Sequence, residues 1–106
     1  MDFRILVFTT KCCVNCKQTK LALEAACDKK GIEVLQIDLS EADDGAIKLW
    51  DLKQVPTLIA VKVHKNGENG EEIDRRTGAQ TPFSINEFLL HIERTLKEAN
   101  ERDSTS

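Results

Sequence analysis

The chain has 106 residues, of which 41% are hydrophobic and 31% charged, and its formal net charge is −3 at pH 7. This composition suits one domain with a core of its own, and the acidic balance argues against nucleic acid or an anionic membrane as the main partner. The first apolar run ends at Phe8 and no run is long enough for a bilayer, so the sequence predicts neither a secretory signal nor a membrane anchor. We therefore expect a cytoplasmic protein, whose four cysteines serve chemistry or packing rather than structural disulfides.

The first half of the chain alternates between strand and helix patterns. Residues 4–10 form a continuous apolar, β-rich run, which is typical of a strand covered on both faces. A helical period follows over residues 16–30, and Gly31 is placed to end that helix in a left-handed cap. A second strand is predicted over residues 32–39, after which Ser40 is expected to cap a second helix. The buried side of that second helix is predicted to consist of Ala46, Ile47, Leu49 and Trp50.

A hairpin and a final helix are predicted in the second half of the chain. Residues 57–64 are expected to form a third strand, and the turn signal Asn66-Gly67 leads to a poorly alternating edge strand over residues 71–76. The last helix is the best marked, because Ser84 and Glu87 have the spacing of a capping box. Its core stripe is predicted to consist of Ile85, Phe88, Leu89, Ile92 and Leu96.

The resulting order of elements, β-α-β-α-β-β-α, predicts an α/β fold. The first two strands are joined through a helix, so they should be parallel with a right-handed crossover, while the hairpin adds antiparallel pairing. The sequence therefore predicts a four-stranded mixed sheet with helices on both faces. We expect residues 1–100 to form this single domain and the polar residues 101–106 to be a disordered tail.

A pair of cysteines, in the stretch Cys13-Val14-Asn15-Cys16, lies between the first strand and the first helix. Two thiols at this spacing can share one disulfide, and in an intracellular α/β context they indicate thiol–disulfide exchange. The helix start favours a thiolate at Cys13, and Lys11 and Lys17 add positive charge nearby. Cys16 lies about one turn inside the helix and should be more buried. We therefore expect Cys13 to attack a substrate disulfide and Cys16 to release the reduced product.

Competing hypotheses remain for the same cysteines. Cys12 directly precedes the pair, so Cys12, Cys13 and Cys16 offer three close thiols to a soft metal or an iron–sulfur cluster. No histidine or fourth cysteine lies at the usual spacing, and we predict no resident metal. A third hypothesis is an interaction protein that retains the scaffold and holds a partner in its groove.

The remaining cysteine and the two histidines have simpler interpretations. Cys27 lies roughly 16 Å from Cys16 along the helix, far beyond disulfide reach. We expect it to be a small buried residue on the apolar face. His64 and His91 carry no motif and are expected at the surface.

In combination, these features resemble the thioredoxin-like superfamily in its short thioredoxin/glutaredoxin form. The matching pieces are Cys13-Val14-Asn15-Cys16-Lys17, Val55-Pro56-Thr57 and Thr77-Gly78-Ala79, which occur in the right order over residues 3–98. The resemblance implies a cis peptide bond before Pro56 and a groove that binds an extended substrate strand. The substrate-binding residues implied are Val14, Asn15, Val55, Pro56, Thr57 and Gly78. Trp50 is expected either to flank this groove or to pack in the core.

The resemblance further implies a protein-disulfide reductase. Its substrates would be disulfide-containing proteins, its electron donor a reductase or a low-molecular-weight thiol, and its only redox group the Cys13–Cys16 disulfide. A monomer without a separate cofactor is expected. The chain departs from thioredoxins at Cys12 and Val14-Asn15, where Trp and Gly-Pro are usual, and at Val7, where thioredoxins place a buried acid. It departs from glutaredoxins at Ala79, where a second glycine is usual.

Overall fold

The structure is a computed structural model that describes residues 3–11, 13–39 and 44–105. The predicted order of elements is confirmed, with most boundaries within two residues of those expected. The elements are β1 (Phe3–Thr9), α1 (Val14–Lys30), β2 (Glu33–Asp38), α2 (Asp44–Leu49), β3 (Thr57–Val63), β4 (Asn69–Thr77) and α3 (Pro82–Thr105).

The four strands form one mixed sheet in the order β2-β1-β3-β4. β1 pairs in parallel with β2 and antiparallel with β3, and β3 pairs antiparallel with β4. The apolar run of β1 therefore lies in the middle of the sheet, where Ile5–Thr9 are buried on both faces. β4 is at an edge, as its poor alternation predicted.

The larger of two cores lies between the sheet and the pair α1 and α3. Because side chains alternate along a strand, Ile5 and Val7 of β1 face this side, while Leu6 and Phe8 face the other. All five residues of the predicted α3 stripe are buried. The core consists of Ile5, Val7, Leu23, Cys27, Leu58, Ala60, Ile85, Phe88, Leu89, Ile92 and Leu96.

The second face of the sheet is covered differently from the prediction. Its buried residues are Leu6, Phe8, Ile59 and Val61. Trp50 and Leu52, which follow α2, pack against this small cluster. The predicted burial of Ile47 and Leu49 was wrong, since their side chains are 39% and 80% exposed. α2 is only six residues long, and the turn after it already covers the apolar strand residues. The predicted cap Ser40 and the side chain of Ala46 lie outside the described part of the chain.

The start of α3 lies three residues earlier than the predicted capping box requires. Thr81 Oγ1 accepts a hydrogen bond from the Ser84 N–H (3.1 Å), and Ser84 Oγ accepts one from the Thr81 N–H (3.0 Å). Pro82 occupies the first helical position, where its missing N–H costs nothing. The prediction of Ser84 as the cap was therefore wrong, and Ser84 takes the role expected of Glu87.

The end of α3 also differs from the prediction. The helix continues through Thr105, so residues 101–105, which were expected to be a disordered tail, are helical. No glycine or proline follows Pro82 to stop the helix, and Ala, Glu, Lys and Arg are good helix formers. The domain boundary at residue 100 stays a prediction. Within the described ranges, no helix is both long and apolar enough to cross a membrane.

Candidate active site

The cysteine pair lies where β1 ends and α1 begins. Cys13 and Cys16 are joined by a disulfide, and their Cα atoms are 5.2 Å apart. Cys13 is the residue that caps α1, while Cys16 lies within its first turn. Cys12 lies outside the described residues. The structure thus brings together the two thiols that the sequence predicted to react with each other.

The Cys13 sulfur is held at the positive end of the helix. The backbone of Cys13 is extended (φ −101°, ψ 106°), and its Sγ accepts a hydrogen bond from the Cys16 N–H at 3.1 Å. The first turn of α1 contains no acidic residue that would oppose a negative sulfur. An N–H that points at a sulfur and the helix dipole both stabilise a thiolate. This geometry therefore favours ionisation of Cys13 in the reduced form.

The two sulfurs differ in accessibility. Cys16 is only 3% exposed, whereas Cys13 is half-buried. Between them, Val14 and Asn15 are exposed, and the Val14 side chain is 74% exposed. An incoming disulfide therefore reaches Cys13 more readily than Cys16.

The loop before β3 lies beside the end of β1, because Phe8 pairs with Thr57 across the sheet. The peptide bond between Val55 and Pro56 is cis. Thr57 is buried, and its hydroxyl donates a hydrogen bond to the Gln54 carbonyl at 2.7 Å. The loop is thus held against the strand whose end leads to the cysteine pair.

Gly78 joins the same region from β4. Its N–H donates a hydrogen bond to the Pro56 carbonyl at 2.8 Å, and its φ is +89°. The Gln54 side chain covers this glycine, since its Nε2 lies 2.6 Å from where a Cβ on Gly78 would be. Gln54 was not predicted as a site residue, and only its position two residues before Pro56 in the sequence hints at this contact.

A groove of about 450 Å³ opens on the other side of the disulfide. It is bounded by the end of β1, the first two turns of α1 and one side of β2. Part of its wall is braced by a hydrogen bond from Gln36 Nε2 to Thr9 Oγ1 at 2.9 Å. The groove is lined by Thr9, Thr10, Lys11, Cys13, Val14, Cys16, Lys17, Lys20, Gln36 and Asp38. Lys11 and Lys17, predicted near the pair, both line it, while Lys20, Gln36 and Asp38 were not foreseen.

Two further residues that the comparison with thioredoxins had singled out, Trp50 and Val7, have packing roles. Trp50 is half-buried and its ring lies 5.7 Å from that of Phe8, at an angle of 50°. Of the two roles that the sequence left open for Trp50, the structure therefore supports packing. Val7 is fully buried in the larger core, so the position at which thioredoxins place an acid is apolar here.

Cys27 and the histidines occupy the positions that the sequence predicted. Cys27 is fully buried, and that burial, reinforced by the nearby Asp28 carboxylate, raises the pKa of its thiol to about 11. His64 and His91 are exposed. Across residues 3–11, 13–39 and 44–105, no group of three metal-ligating side chains is present. Because Cys12 is not among these residues, the three-thiol metal site stays a hypothesis.

Comparison with known proteins shows which solved structures share this fold. No protein-family model matches the sequence, and no curated protein matches it in sequence. Among solved structures, thioredoxin-2 of a malaria parasite shares 21% identity over 88% of this chain and 82% of its own, with a TM-score of 0.70. The reduced thioredoxin pre-protein of Schistosoma mansoni shares 19% identity over 89% and 79%, with a TM-score of 0.68. A thioredoxin from Fasciola hepatica shares 20% identity over 89% and 81%, with a TM-score of 0.66. At this level of identity the likeness concerns the fold alone.

Proposed function

We propose that this chain, which has the thioredoxin fold, reduces disulfides in other proteins through Cys13 and Cys16. A Cys13–Cys16 disulfide on this fold fits a thiol–disulfide oxidoreductase. One observation carries the finer proposal. The Cys13 sulfur caps α1 and accepts the Cys16 N–H, whereas the Cys16 sulfur is buried. The accessible sulfur at the helix start is the nucleophile, and the buried one resolves the intermediate.

The reaction transfers two electrons from the dithiol to the substrate. The Cys13 thiolate attacks one sulfur of a substrate disulfide, a mixed disulfide forms, and the other substrate sulfur leaves as a thiolate that takes up a proton. Cys16 then loses its proton and attacks the Cys13 sulfur. The Cys13–Cys16 disulfide closes, and the second substrate sulfur leaves as a thiolate. The Cys16 N–H, which donates to the Cys13 sulfur, stabilises the thiolate that attacks in the first step.

The substrate would bind as an extended strand beside the pair. Pro56 offers no N–H, so backbone hydrogen bonds to the substrate would come from Val55, with Thr57 continuing the same wall. Val14 and Asn15 are exposed next to the disulfide and would contact the substrate from the helix side. Gly78 would form the floor, with Gln54 lying over it.

We further propose that the protein acts as a monomer in the reducing cytoplasm. A reductase or a low-molecular-weight thiol would restore the dithiol after each turnover. No cofactor besides the Cys13–Cys16 pair is needed, because the two sulfurs carry both electrons.

Insulin reduction by dithiothreitol provides the test. We expect the wild-type protein to accelerate the precipitation of insulin chains, and Cys13→Ser to abolish this acceleration, because the nucleophile is lost. Cys16→Ser should instead accumulate mixed disulfides that a thiol releases. Unchanged turnover in Cys13→Ser would refute the proposal.

Matched controls separate the reductase from the metal-binding alternative. Cys27→Ser removes a buried thiol remote from the pair, and Cys12→Ser removes the adjacent one. Both variants should retain insulin reduction if the Cys13–Cys16 pair alone reacts. Zinc or iron at one equivalent in protein purified under reducing conditions, lost in Cys12→Ser, would instead favour the metal-binding module.

A further inference from the structure

We propose that Gln80 is a positioning residue: together with the Thr19 hydroxyl on α1, it holds Gly78 and Pro56 in place beside the helix that carries the cysteine pair. This inference rests on the proposed function, because it concerns how a protein disulfide is presented to Cys13. Gln80 acts through its neighbours in this role and need not touch the substrate.

The backbone of Gln80 ties the connection between β4 and α3 to α1. Residues 78–81 form this connection, and the Gln80 N–H donates a hydrogen bond to Thr19 Oγ1 at 3.1 Å. Thr19 lies one turn beyond Cys16 on the same face of α1, and both residues are buried. Among the residues that the structure describes, no other hydrogen bond joins this connection to α1. The bond therefore sets where the connection lies relative to the cysteine-bearing helix.

The side chain of Gln80 holds Gly78. Its Nε2 donates a hydrogen bond to the Gly78 carbonyl at 3.1 Å, and the Gly78 N–H donates in turn to the Pro56 carbonyl at 2.8 Å. Both polar backbone groups of Gly78 are thus engaged. Three hydrogen bonds therefore run in sequence from Thr19 through Gln80 and Gly78 to Pro56, so a shift of Gln80 would be passed on to the loop before β3.

Capping of α3 does not account for the Gln80 side chain. Ser84 Oγ donates a hydrogen bond to Gln80 Oε1 at 2.9 Å, which fixes the nitrogen end of the amide towards the Gly78 carbonyl. Thr81 and Ser84 already cap each other, and Ser84 Oγ has a second acceptor in the Thr81 carbonyl at 3.1 Å. The start of α3 therefore keeps its hydrogen bonds without Gln80, whereas the Gly78 carbonyl would lose the one that Gln80 donates.

The consequence for the reaction depends on the substrate. A protein disulfide would be held by the loop before β3 while Cys13 attacks, so a small displacement of that loop misaligns the reacting sulfurs. A small flexible disulfide needs only access to the Cys13 sulfur. The Cys16 N–H that stabilises the Cys13 thiolate does not involve Gln80. Loss of the Gln80 side chain should therefore slow the reaction with protein disulfides selectively.

The experiment compares insulin with neutral hydroxyethyl disulfide as oxidants of the reduced protein. Each is added in excess, the reaction is quenched in acid, and the remaining protein thiols are counted after maleimide labelling by mass spectrometry of the intact chain. Gln80→Met keeps the length of the side chain but cannot donate to the Gly78 carbonyl. We expect its second-order rate constant for insulin to fall about tenfold, and that for hydroxyethyl disulfide to stay within about twofold of wild type. The pH dependence of the second reaction should also match wild type.

A second pair of variants tests the contact with α1 independently. Thr19→Val removes the hydroxyl that accepts the Gln80 N–H and should show the same selective loss with insulin. Thr19→Ser retains a hydroxyl and should react with both disulfides as the wild-type protein does. If Gln80→Met does not fold, as judged by urea denaturation of the oxidised protein, this pair decides the question by the same criteria.

Gln18→Met is the matched control, because it makes the same replacement at an exposed position of α1. Both of its rate constants should stay within about twofold of wild type. An equal fall of both rate constants in Gln80→Met, or an unchanged rate constant for insulin, would overturn the inference. Failure of the proposed function is a different result, since the wild-type protein itself would then not reduce insulin.

Discussion

Cys13 combines two structural roles at a single atom. Its sulfur caps α1 by accepting the Cys16 N–H, and it is also the atom that forms the disulfide. The sequence predicted a helix from residue 16, but α1 begins at Val14 because Cys13 supplies the cap. The cap therefore positions the reactive sulfur at the positive end of the helix.

Cys27 lies on the same helix, and its burial makes the thiol less acidic and therefore less reactive. Its pKa is raised from an ordinary 9.0 to about 11, chiefly because burial disfavours the charged form. At pH 9 we expect iodoacetamide to label Cys13 in the reduced native protein but to leave Cys27 unmodified, as mapped by mass spectrometry. Labelling of Cys27 in guanidinium chloride is the positive control. Rapid labelling of Cys27 in the native protein would contradict the burial of its thiol.

The same shift has a consequence for stability at high pH. The folded pKa of Cys27 is raised, so the unfolded thiol ionises first. The contribution of the neutral thiol to stability is fully present below pH 9 and is lost as the pH rises towards 11. Cys27→Ala should remove this part of the pH dependence.

Gly78, whose N–H donates to the Pro56 carbonyl, is a position where the backbone conformation decides the residue. Its φ of +89° strains any residue with a Cβ, and the new Cβ of Gly78→Ala would also meet the Gln54 amide. We expect Gly78→Ala to lower the free energy of unfolding by about 1–2 kcal/mol, measured by urea denaturation of the oxidised protein.

A Gln54→Ala background identifies the cause of that loss. Because the Gln54 amide is the end of a flexible side chain, it can move aside at little cost, whereas the φ strain remains. Most of the loss should therefore persist when Gly78→Ala is combined with Gln54→Ala. Full recovery in the double variant would show that the contact, not the backbone, is responsible.

At the scale of elements, α1 and α2 end in the same motif with different residues. After α1, Gly31 is left-handed (φ +70°) and the Ile32 N–H donates to the Cys27 carbonyl at 3.0 Å. After α2, Asp51 takes the equivalent place (φ +51°), and the Leu52 N–H donates to the Ile47 carbonyl at 3.0 Å. Both are Schellman-type ends, in which glycine is the least strained residue.

Asp51→Gly is therefore expected to stabilise the protein. Relief of the left-handed strain should raise the free energy of unfolding by about 0.5–1 kcal/mol, measured by urea denaturation. The exposed ion pair between Asp51 and Lys53 contributes little that would offset this gain.

The opposite substitution at α1 is the matched control. A Cβ on Gly31 meets no atom within 4 Å, so Gly31→Ala tests the backbone strain alone. It should lower stability by about 1 kcal/mol. If Asp51→Gly lowers the free energy of unfolding, the interactions of the Asp51 side chain stabilise the protein by more than its left-handed backbone destabilises it.

At the scale of the whole molecule, the two faces of the sheet are unequally covered. The face under α1 and α3 holds the larger core, which includes the fully buried Ile92. Among the described residues, the other face has four buried side chains, and Leu49 of α2 is exposed. Most of the hydrophobic contribution to stability therefore comes from the first face.

Two alanine substitutions test this asymmetry. Ile92→Ala should lower the free energy of unfolding by about 2–5 kcal/mol, because it leaves a cavity in the larger core. Leu49→Ala, which removes a similar number of atoms from a side chain that is 80% exposed, should change it by less than about 0.5 kcal/mol. Both are read from urea denaturation of the oxidised protein. A comparable loss in Leu49→Ala would mean that α2 buries this side chain in solution.

The order of elements, the place of the cysteine pair and the core stripe of α3 were determined by the sequence. These features follow from periodicity and spacing over a few neighbouring residues, which is why Ile85 and Leu96 were assigned correctly. The end of α3 was predicted wrongly because the polar composition of residues 101–105 suggested disorder. The segment contains no helix breaker, and it is helical.

Only the tertiary structure decided the surroundings of the pair. The contact of Gln54 with Gly78 depends on two strand ends meeting across the sheet, and the groove depends on β2 lying beside β1. Leu49 is exposed, whereas its neighbour Trp50 packs against Phe8, a residue more than 40 positions earlier in the chain. These contacts join residues that are distant in the sequence, and no local pattern specifies which of them will meet.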